Sequence, residues 1–284
     1  MSKDLGRLDL RDIKDNEEKL SKIFKYLDNG KIDTAKTAIV KLLNTPNYFL
    51  REFIGKKLVE YHDDKLMDEI IISLIGHKTY GVRAATIFYY YLKYNNDTPK
   101  ILDLLKMNIN DTPWETEQII HEMWQKHPVI MKKEMSNWAN SESDKQRTIA
   151  YHAIEIVAND DPIFITKMIE KNIDTDNLEV QKKITNVLTH TARVNPAVCY
   201  PFIREWLTKP SENRNRTLNI AMRKLISMAL QIVANNKSAK NDEFYILTMQ
   251  SIKDWKSDPI KSVASMGDKL VNFAKNPQPG DSDN

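Results

Sequence analysis

The sequence predicts an all-α fold, a superhelical solenoid of stacked antiparallel helix pairs. Three observations carry that prediction. First, four segments repeat one pattern: a basic or polar residue opens a helix, and apolar or small residues then recur at helical spacing. The openers are Arg51, Arg83, Arg147 and Lys182. From Arg51 to Arg83 is 32 positions and from Arg147 to Lys182 is 35, while the 64 between Arg83 and Arg147 make two units with a weaker copy around Trp114. A period of about 20 to 50 residues made of helix pairs is the mark of a stack in which each pair buries its face against its neighbours. Second, glycine is scarce, seven in 284 residues, and strand-like alternation is nearly absent, which argues against a sheet. Third, Asn/Asp/Pro clusters punctuate the chain at intervals. A proline in the first helical turn gives up no hydrogen bond, and a Thr or Asp before it can cap the free amides.

Taken in order, the apolar periodicity predicts helices at 16–27 and 31–44, the second ended by Asn44-Thr45-Pro46-Asn47. Helices at 47–61, 64–75 and 79–95 follow, the first and third carrying the Arg51 and Arg83 openers. Asn95-Asn96-Asp97-Thr98-Pro99 starts 98–108, and Asn110-Asp111-Thr112-Pro113 starts 113–126. Pro128 starts 128–139, and the Arg147 copy lies in 143–158. Asn159-Asp160-Asp161-Pro162 starts 162–172, and 177–194 holds the last copy. Breaks at Asn195-Pro196 and Lys209-Pro210 set 197–208 and 213–235, followed by 241–255 and 258–275. Short connections favour antiparallel neighbours. Residues 1–275 read as one helical-repeat domain, and 276–284, without an apolar residue, as a disordered tail.

Composition narrows the function classes. No apolar run approaches the roughly 20 residues that span a bilayer, and the first ten residues, with Asp4 and Asp9, lack a secretory core. A lone Cys199 forms no internal disulfide, so the simple expectation is a cytoplasmic protein with no membrane contact, taken as a monomer. The net charge of +3 is unevenly spread: residues 178–240 hold eleven basic and three acidic residues, a surplus of +8 that leaves −5 for the rest. A confined surplus is the electrostatic footprint of a polyanion, although a solvated basic face would show the same count.

Helical spacing puts Lys182, Asn186, His190 and Arg193 on one face of 177–194, opposite the apolar Val180, Ile184, Val187, Leu188 and Thr191. In 213–235, Leu218, Ala221, Leu225, Ala229 and Ile232 line the core, and Arg216, Arg223 and Ser227 lie away from it. Stacked side by side, such faces give a basic strip suited to a phosphate backbone. Trp114 and Gln118 are one turn apart, with Glu115 and Glu117 between them. An aromatic beside carboxylates stacks on a base or stabilises a developing cation, and a Trp near a helix start is equally an ordinary core residue. Trp124, Trp138 and Trp206 lie on apolar stripes and read as packing residues. No Gly-rich phosphate loop, Cys-x-x-Cys or His-Glu-x-x-His is present, and neither a cofactor nor a metal site is expected.

The central stretch resembles the DNA alkylation repeat family, the HEAT-like-repeat alkylpurine DNA glycosylases. The likeness rests on ordered motifs: Trp114-Glu115-Thr116-Glu117-Gln118-Ile119-Ile120, Lys126-His127-Pro128, Trp138-Ala139-Asn140-Ser141, Gln146-Arg147, Val180-Gln181-Lys182-Lys183-Ile184 and Ala192-Arg193-Val194-Asn195-Pro196. It covers about residues 75 to 205. It implies HEAT-like helix pairs with duplex DNA in a concave cleft, and a Trp pair with a carboxylate stabilising the departing cationic nucleotide. By that resemblance Trp114 matches the first aromatic and Arg147 a cleft arginine. The carboxylate position holds Gln118 and the second Trp position holds Asn186, so charge and ring are both missing where excision needs them.

The sequence reading is therefore a DNA-binding HEAT-like-repeat protein, with Arg147, Lys182, Lys183, Asn186, Arg193, Arg216 and Arg223 on the DNA and Trp114, Glu115, Glu117 and Gln118 as candidates for any chemistry. Two alternatives stay open. One is an active glycosylase for alkylated purines using Glu115 or Glu117. The other is a scaffold for a protein partner.

Overall fold

The computed structural model describes residues 9–108, 113–236 and 241–276, without the side chains of 108, 113 and 114. The tail expected at 276–284 falls, from 277 on, outside the described residues. Among the described residues the chain is all-helical, with fifteen α-helices, one 3-10 helix and no strand. In order these are α1 (Leu10–Asp28), α2 (Ile32–Leu43), α3 (Tyr48–Leu58), α4 (Asp64–Ile72), α5 (Tyr80–Lys93), α6 (Thr98–Asn108), α7 (Pro113–Lys126) and α8 (Pro128–Ala139). There follow α9 (Asp144–Ala153), the 3-10 helix Ile154–Val157, α10 (Pro162–Asn172), α11 (Leu178–Val194), α12 (Pro196–Leu207), α13 (Glu212–Asn235), α14 (Glu243–Lys256) and α15 (Lys261–Lys275).

Side-chain caps set many of the starts. Asn47, Asp63, Ser143, Asp161, Asn177, Ser211 and Asp242 each accept a hydrogen bond from the amide three residues on, satisfying a donor the helix cannot. Asp161 does so directly before Pro162, as the punctuation predicts. Two boundaries differ from the sequence reading by more than three residues. The first helix begins at Leu10, not 16, because Asp9 caps it while its opening turns are polar and carry no apolar stripe. The helix predicted at 143–158 is α-helical only to Ala153, and its end tightens into the 3-10 turn, a common way to finish a helix.

Backbone contacts divide the chain into two compact units, Met1–Ile130 and Met131–Asn284. In the first, α1 packs on α2 and α3, α3 on α5, and α5 on α6 and α7. Ile39, Leu43, Ile54, Leu58, Ile71 and Ala85 form part of its core. In the second unit the helices form two rows. The contacts run α9 to α11 to α13 in one row and α10 to α12 to α14 in the other, with α15 closing on α13 and α14.

The apolar periodicity accounts for this packing. Val180, Ile184, Val187, Leu188 and Thr191 of α11 are all 0 % exposed. Each aliphatic side chain so buried contributes roughly 1.5–3 kcal/mol, which is why the apolar stripe decides the orientation of the helix. On α13, Leu218, Ala221, Leu225 and Ala229 are buried as expected, while Ile232 near its end is only half-buried. Trp124, Trp138 and Trp206 are core residues.

Candidate functional site

The residues that open the repeats first serve the fold. Each donates to a main-chain carbonyl six positions earlier, folding back on the loop that enters its helix. Arg51 donates to the Thr45 carbonyl (3.0 Å), Arg83 to His77 (2.5 Å) and Arg147 to Ser141 (2.9 Å). The fourth member is Gln181, which donates to the Thr175 carbonyl, so the assignment of Lys182 as opener is corrected by one residue. Arg214 repeats the device on the Lys209 carbonyl, five positions back. The residues at 51, 83, 147, 181 and 214 thus share one task. A buried loop carbonyl needs a donor, and a long side chain with several donors supplies it from the next helix.

The same register passes through Glu115, 32 positions from both Arg83 and Arg147. Here the clamp is replaced by an acid. Glu115 is 0 % exposed and accepts from Arg51 (2.9 Å) and from the Tyr80 hydroxyl (2.7 Å). The Arg51 guanidinium also lies over the Tyr80 ring at 5.3 Å. Burial, and then the bond to Glu115, push the Tyr80 phenol up to about 12, so it stays a neutral donor. As a carboxylate for surface chemistry Glu115 is corrected: both oxygens are engaged and solvent does not reach it. Gln118 is exposed and accepts from the Tyr48 hydroxyl at 2.5 Å. Glu117 is half-buried, and the side chain of Trp114 lies outside the described residues.

In the second unit, α11, α13 and α15 present three grooves. One, of about 510 Å³, is lined by Asn186, His190, Arg193 and Lys224 among others. The next, about 240 Å³, includes Lys182, Thr185, Arg216 and Lys224. The third, about 860 Å³, lies between α13 and α15 and includes Arg216, Arg223 and Lys269. Lys224 is common to the first two and Arg216 to the last two, so the grooves are contiguous. Five of the seven cleft residues read from the sequence line them: Lys182, Asn186, Arg193, Arg216 and Arg223. Lys183, half-buried on the neighbouring flank of α11, does not, and Arg147 is occupied by Ser141 and Asp144.

Three arginines of the unit are ion-paired away from this face. Elsewhere Arg147 pairs with Asp144, Arg204 with Asp258 (2.7 Å) and Arg214 with Asp174. Two of the eleven cations counted in residues 178–240, Arg204 and Arg214, are therefore neutralised by acids from outside that segment. On the groove face, Lys182, Arg193, Lys224 and Lys269 have no ion-pair partner among the described residues, and Arg216 contacts only the neutral Gln181 amide. Glu155 is the single acidic residue lining the three grooves. The Arg223 guanidinium lies 4.8 Å from the Phe273 ring centroid. Lys224 and Lys269 were missed by the sequence reading. Lys224 follows Arg223 on a helix whose exposed side was only partly assigned, and Lys269 belongs to α15, beyond the basic segment.

Among the described residues no group of three or more His, Cys, Asp or Glu side chains is disposed to hold a metal ion. Burial pushes the Cys199 thiol up to about 12, which removes it as a nucleophile. No described helix is long and apolar enough to cross a membrane. No protein-family model and no curated protein matches this sequence.

Proposed function

We propose that the chain is a solenoid of HEAT-like helix pairs that binds duplex DNA through backbone contacts on the α11–α13–α15 face, without excising bases. The observation that carries this reading is the run of uncompensated cations, Lys182, Arg193, Arg216, Lys224 and Lys269, along contiguous grooves. Like charges held together repel one another, and a polyanion relieves that repulsion while releasing its own condensed counterions. The five residues are spread over three helices, so they follow an extended ligand and not a point charge. The repeat architecture is supported by the recurring loop clamp and by the two helix rows of the second unit.

Absence of excision is supported by three residues. Gln118 is neutral, Asn186 has no ring, and Glu115 is committed to Arg51 and Tyr80. Releasing an alkylated purine needs charge already oriented toward the departing group, and losing one such group costs about 10² to 10³ in rate.

Duplex affinity measured across salt concentrations tests the proposal. The slope of log K against log salt is about −0.9 for each phosphate neutralised. Lys182→Glu with Arg216→Glu is expected to weaken all duplex sequences alike and to flatten the slope by about two. Salt-independent binding, or an unchanged slope in that variant, would refute it and favour a protein partner. Methylated duplex is expected to release no free purine; robust release lost in Glu117→Gln would instead establish the enzyme.

A further inference from the structure

We infer that the groove between α1, α2 and the start of α3 docks an extended segment of a partner protein, aliphatic at its centre, basic at one end and acidic at the other. The groove encloses about 520 Å³, within the roughly 300–1,000 Å³ of small-ligand sites. It lies in the first unit and shares no residue with the α11–α13–α15 face.

Its shape follows from α1. Asp12, Asn16, Lys19, Ile23 and Tyr26 recur every three or four residues, so they line one side of the helix over about 21 Å. That length takes about six residues of extended chain, at roughly 3.3 Å each. The floor is aliphatic, made by Ile23 and by the half-buried Ala38, Leu42 and Leu50.

Asn16 says what kind of chain lies there. It continues the buried stripe of Leu20, Ile23 and Leu27, at a position where a leucine would pack, and is only 5 % exposed. Its Nδ2 donates to the Asp12 carbonyl at 2.7 Å. Its Oδ1 lines the groove and accepts no hydrogen bond among the described residues. An enclosed acceptor left unpaired is costly, and a ligand N–H satisfies it. The amides of a helix are committed to its own carbonyls, whereas those of an extended chain are free, so the donor belongs to an extended backbone.

Charge sets the order of the partner's side chains. Asp15 and Lys19 pair with each other at 2.5 Å, while Asp12, Lys22 and Lys41 have no ion-pair partner among the described residues. Asp12 stands in the first turn of α1, and Lys22 lies about 15 Å further along the helix. A basic side chain is drawn to the first, and acidic ones to Lys22 and Lys41. The aliphatic floor and Asp12 set this groove apart from a phosphate site.

The full-length chain is titrated by fluorescence anisotropy with labelled heptapeptides capped at both ends. The matched peptide reads two lysines, three leucines and two glutamates; two others carry lysines, or glutamates, at both ends. The matched peptide is expected to bind about fivefold tighter than either, the scale of one or two exposed ion pairs. Serines in place of its leucines are expected to abolish binding. N-methylation of the leucine amides is expected to weaken it at least about threefold, the loss of one hydrogen bond. Asn16→Leu, which fills the stripe, is expected to remove that sensitivity and keep the order of the three peptides. Lys22→Glu with Lys41→Glu, both at exposed positions, is expected to make the lysine-ended peptide the tightest. Such a reversal requires a folded groove, so it separates docking from damage. No binding of the matched peptide, equal affinities, serine-tolerant binding, or an unchanged order in the double variant would overturn the inference. Competition by a peptide of residues 1–8, which holds Lys3, Leu5 and Arg7, as strong as by the matched peptide would assign the groove to that segment and overturn the partner. None of these outcomes bears on duplex binding, which rests on the second unit.

Discussion

Glu115→Gln probes the replacement of a loop clamp by a buried acid. The wild-type carboxylate faces the Arg51 guanidinium at 2.9 Å, with side-chain exposures of 0 % and 9 %. Removing the charge leaves Arg51 with the Thr45 carbonyl and the Tyr80 ring, and no anion. Breaking a buried pair from one side costs about 3–5 kcal/mol, because the remaining charge is left desolvated. The glutamine amide keeps one acceptor oxygen, so the lower end, about 3 kcal/mol, is expected. At about 2–4 °C per kcal/mol for a domain of this size class, the midpoint falls by roughly 6–12 °C. Differential scanning calorimetry measures it, with urea titration as the isothermal check. Arg51→Met combined with Glu115→Leu removes both charges and is expected to cost less than the sum of its parts. A midpoint shift under about 2 °C, or additivity within about 0.5 kcal/mol, would refute the account of the pair. Duplex affinity per folded molecule is expected to stay unchanged, since the proposed face belongs to the second unit.

Gly55→Ala places a methyl 2.6 Å from the Ala85 carbonyl oxygen and 2.9 Å from the Phe88 Cβ, where α3 crosses α5. The gain in helix propensity, about 1 kcal/mol, is outweighed by overpacking of about 1–3 kcal/mol against backbone that cannot turn aside. Gly267→Ala meets the main chain of Trp255 and Lys256, with the Trp255 carbonyl carbon at 2.5 Å, and is expected to lower the urea midpoint further. A raised midpoint in either variant would mean that the helices separate without cost. Asp161→Asn tests a cap with a charge partner: the carboxyl accepts from Lys132 (2.6 Å) and from the Phe164 amide (3.0 Å). The Lys132 contact, foremost, holds its pKa below the ordinary value. Such a group contributes stability above the unfolded pKa, about 3.9, and loses it as pH falls through the lower folded value. The variant is expected to be less stable at neutral pH and less acid-sensitive below about pH 4; a parallel downward shift at every pH would contradict this.

The helices were legible because their signals are local. Apolar stripes at 3.6-residue spacing and Asn/Asp/Pro clusters report burial and termination without knowledge of any partner. Where the stripe is missing, as in the polar first turns of α1, the boundary slipped, and only the Asp9 cap marks the start. The repeat period was legible too, but the work of its key residue was not. A basic residue at the start of a helix reads as a cation offered to solvent. The structure turns it back onto a carbonyl six positions earlier, a contact that composition and periodicity do not encode.

That distinction explains which site residues held their place. Lys182, Asn186, Arg193 and Arg216 were chosen because they oppose an apolar stripe, and all four line the grooves. Arg147 and Glu115 were chosen for their chemical type in a recurring motif, and both occupy the clamp register. At that register position side chains are drawn inward by unsatisfied loop carbonyls, so a charged residue there belongs to the fold before it belongs to a ligand. Glu115 is the extreme case. Once an acid replaces the clamp, its desolvated charge needs a cation, and Arg51, itself a clamp two repeats earlier, supplies it. One substitution thus binds two repeats together and withdraws a carboxylate from the surface. Lys182 and Arg216, one and two positions beyond the clamp residues of α11 and α13, escape that task and line the grooves instead.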